Sequence, residues 1–232
     1  MNEYAILKEY LDDELDEQLS VFSVSHLLSK LSDYNRVILE NGISGTLLFR
    51  GQSDVDFGVD GSIFRNGLLA KETALVNELI LQEPREFGSH MTDFEQLVKM
   101  QHYGLPTRLL DITTNPLVAL YFACAEYESK DGELILFIES LQRPTQKEVR
   151  LLSALAEYDG KSEGDFLDYF SRKGLSAYVD EGIPRYLRIP AEQKASILHE
   201  LDMIGINEAF VYPELEHQAA YIKKRHCEKA GE

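Results

Sequence analysis

Tryptophan is absent, and cysteine is nearly so. The two cysteines, Cys124 and Cys227, lie far apart and lack the short spacing of a metal-ligand pair. They are read as reduced thiols of a cytoplasmic protein. No apolar run reaches the roughly 18 residues that a membrane-spanning helix needs, so no membrane contact is expected. The opening stretch, MNEYAILKEYLDDELDEQL, is acidic and has no basic start, so it does not read as a signal peptide. Positive charge is scarce: 23 Lys and Arg stand against 40 Asp and Glu, a net charge of −17. That argues against a general nucleic-acid coat, which releases counterions from a basic surface, but it leaves room for one local basic pocket. A basic antitoxin or inhibitor protein is compatible with such a surface. Walker A, GxGxxG, HExxH and GxSxG patterns are missing, and the six histidines show no metal spacing, so no metal is expected.

What is present suffices for a core, since 44% of the 232 residues are hydrophobic. The length suggests a single domain over residues 20–232, with an N-terminal annex over 1–19. In the annex, Tyr4, Leu7, Tyr10, Leu11 and Leu15 fall at helical spacing among acidic residues. A second helix is expected over Val24 to Ile38, capped by Ser23 or Ser25, with Leu27, Leu28, Leu31 and Tyr34 inward. GTLLFRGQ (45–52) alternates as a strand, with Leu48, Arg50 and Gln52 on one face and Leu47 and Phe49 on the other. Gly51 would admit a close backbone or ligand. Further helices are expected over Leu68 to Leu81 and 93–103, then a strand over Glu133 to Ile138. Leu151 to Tyr158 and Gly164 to Phe170 read as short helices. Tyr186 to Ile189 reads as a strand. Pro190 to Ile204 reads as a helix with Ala195, Ile197, Leu198 and Leu201 inward. Ala209 to Tyr212 is expected as a strand and Leu215 to Lys224 as a terminal helix.

The densest stretch is QHYGLPTRLLDITTNPLVALYFA (101–123). Gly104 and Pro106 break the preceding helix. Thr107 to Thr113 then reads as a strand, with Arg108, Leu110 and Ile112 on one face and Thr107, Leu109, Asp111 and Thr113 on the other. Asn115 suits an N-cap and Pro116 the first helical position, opening a buried helix to about Glu128. Thr114 and Asn115 would present polar groups at a helix N-terminus, which favours an anion. Arg50, at the end of an apolar strand, needs either a carboxylate or an anionic ligand; both satisfy it. His102 reads as a packing residue or as a base in this cluster. Glu72 reads as a solvated acid or a partner of Arg65. A carboxylate from the second half would complete the constellation, from Glu139, Glu208 or Glu214.

FRGQ (49–52), SIFR (62–65), Glu72 and the 101–123 stretch resemble the FRG domain, a bacterial and phage family named for its FRG motif. The likeness covers about residues 20–138 and resumes over Leu187 to Tyr221. The order of a strand-end arginine, a Thr-rich strand end leading into a helix, and a late glutamate is also similar to arginine–serine–glutamate ADP-ribosyltransferases. That resemblance implies an α+β fold with mixed or antiparallel sheets and flanking helices, and NAD as substrate. Arg50, Thr113 and Glu208 would be catalytic, with Glu216 or Glu214 as alternatives to Glu208. Gln52, His102, Tyr103, Arg108, Asp111, Thr114 and Asn115 would bind the cofactor. The acceptor would be RNA, DNA or protein, in a toxin or antiphage effector. Two rivals stand beside this: an NAD glycohydrolase using the same site, and a non-catalytic interaction module. In the latter, Arg50–Asp111 or Arg108–Glu72 pairs would satisfy the buried charges.

Overall fold

A computed structural model describes residues 20–88, 90–139, 146–158, 185–207 and 219–222. The elements, in chain order, are α1 (Val24–Glu40), β1 (Thr46–Gln52), α2 (Glu72–Gln82), α3 (Asp93–His102), β2 (Leu109–Ile112), α4 (Pro116–Cys124), β3 (Gly132–Glu139), α5 (Lys147–Ala154), β4 (Arg185–Ile189), α6 (Ala191–Met203) and β5 (Ala219–Ile222). Short 3-10 turns cover Ser62–Phe64, Leu68–Lys71 and Leu155–Glu157. One antiparallel sheet has the order β1-β3-β4, and β2 pairs with β5 in a second. The chain is thus α+β. It clusters into two compact units, Met1–Gly58 with Ile112–Leu141 and Gly182–Ala219, and Val59–Asp111 with Gln142–Glu181 and Ala220–Glu232.

The first unit is built around one face of the three-stranded sheet. Phe49, Leu134, Leu136, Leu187 and Ile189 alternate onto that face, where α1, α4 and α6 cover them with Leu27, Leu31, Leu120, Ile197 and Leu201. Each such fully buried aliphatic side chain contributes roughly 1.5–3 kcal/mol. Helix α4 lies very close to the strands because two glycines admit it. A Cβ on Gly51 would overlap the Ala119 carbonyl, and one on Gly132 would meet the Ala123 carbonyl. Ser23 caps α1 as expected, its hydroxyl accepting from His26 N–H at 3.1 Å. Leu28, expected inward, is 46% exposed, and Val37 is buried with Leu27 and Leu31.

Helix α4 begins as expected, with Asn115 Oδ1 accepting from Leu117 N–H at 3.0 Å and Pro116 in the first turn. It stops at Cys124 rather than near Glu128, and α6 explains why. Lys194, not Ala195, points inward; it is only 2% exposed. Its Nζ donates to the carbonyls of Ser53 (2.6 Å), Glu126 (2.9 Å) and Tyr127 (3.1 Å). Three donors require the ammonium form, although burial lowers the lysine pKa against the pull of Cys124, Asp54 and Asp131. Drawing two successive carbonyls to one cation ends the helix and holds Tyr127 at φ 50, a left-handed conformation that non-glycine residues avoid. Lys194→Met keeps the stem but leaves those carbonyls without their donor. It is expected to lower the unfolding free energy by about 2–4 kcal/mol, read from urea denaturation. Cys124 is buried beside this cluster, and burial pushes its thiol pKa up to about 12, so it is an inert core residue.

In the second unit, Val76, Phe87, Leu97, Met100, Leu109 and Ala156 form the core. Helix α3 starts on a capping box in which Thr92 and Glu95 exchange hydrogen bonds. The expected helix over Leu68 to Leu81 divides: a 3-10 turn leads into α2 at Glu72, preceded by Gly67 at φ 68. Residues 219–222, expected as part of a terminal helix, form β5 instead. The sequence Ala-Ala-Tyr-Ile tolerates either state, and pairing with β2 decides it. The expected annex helix, the 164–170 helix and the 209–212 strand lie outside the described residues. No described helix is long and apolar enough to cross a membrane.

Candidate functional site

Strand β1 carries two different faces. Phe49 and Gly51 serve the core described above. Leu48, Arg50 and Gln52 alternate onto the opposite face. The register with β3 sets Arg50 against Ile135 and Gln52 against Glu133. Cross-strand partners share a face, so Arg50, Gln52 and Glu133 form one polar row beside the buried Leu48, Ile135 and Phe137.

Hydrogen bonding fixes the row. Gln52 is 5% exposed. Its Nε2 donates to the Phe57 carbonyl and to Glu133 Oε2, both at 2.8 Å. Two acceptors on the nitrogen settle which way the amide points. Its Oε1 is then buried with no hydrogen-bond partner among the described residues. Burial raises the Glu133 carboxyl pKa, and the Gln52 N–H opposes that only in part. Arg188, directly opposite Glu133 in the ladder, is held by Asp131 instead. Asp131 is held below the usual carboxylate range. Burial would raise it, but the Ala191 N–H and Arg188 outweigh that.

Thr113 is brought to β1, but on its other face. Thr113 and Phe49 exchange two backbone hydrogen bonds, each 2.8 Å, so Thr113 shares the Phe49 side and not the Arg50 side. Its Oγ1 accepts from the Asn115 N–H at 3.0 Å. Thr113 and Asn115 therefore build the start of α4 with their polar atoms. Thr114 is exposed and lines an open groove of about 460 Å³ with Leu28, Leu31, Leu47, Phe49 and Pro116.

The remaining expected residues lie in the second unit and are engaged there. Arg108 is 4% exposed and Glu72 is 2% exposed. Arg108 Nε and Nη2 donate to the two Glu72 oxygens at 2.6 and 2.5 Å. The guanidinium also lies over the Phe64 ring, 5.8 Å from its centroid. Glu72 is thus buried rather than solvated, and it forms the Arg108–Glu72 pair that the interaction-module reading requires. Asp111 is exposed and accepts from Gln101 Nε2 at 2.8 Å. His102 ends α3 and is exposed, while Tyr103 caps that helix and tilts against Phe87. Burial and the nearby Glu86 charge raise the Tyr103 phenol pKa.

Glu208, Glu214 and Glu216 lie outside the described residues. Glu139 ends β3 opposite Thr46. Glu133 is the residue that reading the sequence passed over, as an ordinary acid at the start of an apolar strand. Its alternation with Leu134 and Leu136 was the available signal, but only the β1–β3 register makes it a neighbour of Gln52. Among the described residues, no group of three or more His, Cys, Asp or Glu could hold a metal ion.

No curated protein and no solved structure matches the chain. A family model does match, over residues 45–132, from the start of β1 to the first residue of β3. The matched model is that of the FRG domain, and the matched span, which holds FRGQ, SIFR, Glu72 and the 101–123 stretch, is similar to it.

Proposed function

We propose that this chain is an NAD-dependent ADP-ribosyltransferase with a macromolecular acceptor, acting as a toxin or antiphage effector. The observation that supports this reading is the placement of Arg50. It lies on the face of β1 opposite Phe49, in one row with an amide and a carboxylate, while Phe49, its neighbour, is tied to the Thr113 strand end. A guanidinium there suits the pyrophosphate of NAD, which it can grip with two parallel N–H groups. Thr113 is then a positioning residue that sets α4 against Arg50's strand.

The reaction would break the bond between ribose C1′ and the nicotinamide nitrogen. Nicotinamide leaves with the bonding electron pair and becomes neutral. An acceptor oxygen or nitrogen forms the new bond to C1′, and its proton passes to a carboxylate or to water. A carboxylate near the ribose stabilises the oxocarbenium-like transition state.

The test is incubation of the full chain with adenylate-labelled NAD, total RNA, DNA and cell lysate. Label is expected on one macromolecular pool, falling about a hundredfold to a thousandfold in Arg50→Ala, the cost typical of removing one transition-state donor. Nicotinamide release without retained label would identify a glycohydrolase. Full labelling by a folded Arg50→Ala protein would overturn the role of Arg50, and neither label nor nicotinamide release would favour a non-catalytic module.

A further inference from the structure

We infer that the open groove beside α1 is the seat of this chain's own N-terminal segment, residues 3–19, docked as a helix antiparallel to α1. The inference is independent of the transferase reading and holds for a catalytic or a non-catalytic chain.

Helix α1 carries two stripes. Val24, Leu27, Leu31 and Val37 are buried. Leu28, Ser32, Asn35 and Leu39 recur at intervals of four, three and four, which sets them together on one flank of the helix. All four are exposed, and the leucines at the two ends of the stripe are 46% and 80% exposed. The same flank borders the groove of about 460 Å³, which Leu31, Leu47 and Phe49 also line. Single exposed leucines are ordinary, but two aligned with an apolar groove make a continuous seat for a second apolar element.

The segment that precedes α1 has the matching pattern. Tyr4, Leu7, Leu11 and Leu15 recur at three, four and four, so a helix over 3–19 carries one apolar stripe. It has 17 residues, as α1 does, and at 1.5 Å per residue each spans about 26 Å. The link between them is short and anchored. Ser20 bridges Arg188 of β4, Val21 N–H donates to the Arg188 carbonyl at 2.8 Å, and α1 starts at Val24. That leaves residues 20–23, and links of roughly 2–5 residues join antiparallel helices. Counted outward from this link, Leu15 meets Leu28, Leu11 meets Ser32 and Tyr4 meets Leu39. Leu11 thus falls where α1 offers only a small side chain beside the groove. The net charge of −17 opposes a second copy as the occupant, whereas a tethered segment is present at roughly millimolar effective concentration.

The experiment is amide hydrogen exchange on the full chain, for wild type, Leu28→Lys, Leu39→Lys and Leu11→Lys. Leu28 and Leu39 are exposed, so their lysine variants are expected to fold, which thermal unfolding checks. Wild-type amides over 3–19 are expected to exchange at least about tenfold more slowly than those of an unstructured chain. Leu11→Lys should release the whole segment. Leu28→Lys should release chiefly the amides near Leu15, and Leu39→Lys chiefly those near Tyr4. Exchange of wild-type residues 3–19 at unstructured rates would overturn the inference and leave the groove to another protein. Protection that survives both Leu28→Lys and Leu39→Lys would overturn it too, because the segment then rests elsewhere. Protection that appears only together with a dimer, as light scattering reads it, would give the groove to a second copy and overturn the intrachain contact.

Discussion

Glu72→Gln is expected to lower the unfolding free energy by about 3–5 kcal/mol, the usual cost of breaking a buried ion pair from one side. The residue is 2% exposed and takes two hydrogen bonds from Arg108, itself 4% exposed. Glutamine returns only one acceptor and leaves a buried guanidinium without its countercharge. The surroundings cannot relax easily. Phe64 lies against the guanidinium, Thr107 N–H is held by Ser62 Oγ at 3.1 Å, and a Cβ on Gly61 would meet the Thr107 and Arg108 backbone. The SIFR motif, Glu72 and the TRLL segment thus converge on one ion pair. Glu72→Leu with Arg108→Met removes both charges and should recover most of the loss, because well-packed apolar replacements of a buried pair are often neutral or better. Urea denaturation of the single and double variants reads the stability. The labelling assay on the double variant then separates two roles for Arg108. Where the wild type shows the proposed transfer, its retention is expected from a structural arginine, whereas a folded double variant without it would place Arg108 in the ligand-binding set.

How far the sequence could be read follows the same division. Local signals carried well: the Ser23 cap, the Asn115-Pro116 helix start and the alternation of β1 all depend on neighbours in sequence. Gly51 was readable as a site of close approach, and Ala119 is what approaches. What escaped depends on distant partners. Lys194 reads as a surface residue of an amphipathic helix, and only the carbonyls of Ser53, Glu126 and Tyr127 draw it inward, shifting the buried face from Ala195 by one position. The candidate site divides likewise. Arg50 and Gln52 were visible because they end an apolar strand. Glu133 was not, because its significance comes from strand register. Thr113 was legible as a strand end, but its neighbour on β1 and the face it shares depend on pairing with Phe49, which alternation within its own strand does not reveal.

Gly51→Ala tests the point at which fold and site meet. The new Cβ would overlap the Ala119 carbonyl and crowd the Ala123 nitrogen, both backbone atoms of α4. No side-chain rotation relieves that, so either α4 must lift from the sheet or β1 must shift. Overpacking of a core commonly costs about 1–3 kcal/mol where side chains can move, and a clash with helix backbone belongs at or above the top of that range. A large fall in melting temperature, or loss of soluble protein, is expected. Gly205→Ala is the control, since Gly205 has φ 86 but open space around it and carries only the backbone penalty, roughly 1 kcal/mol. The ranking of the two variants by thermal unfolding separates close packing from backbone conformation. If Gly51→Ala melts with wild type, α4 stands farther from β1 than the structure places it. If it melts far below Gly205→Ala, the glycine of FRGQ is there to seat α4 on the sheet. Arg50 and Gln52, on either side of that glycine, are turned to the opposite face by the alternation of the same strand.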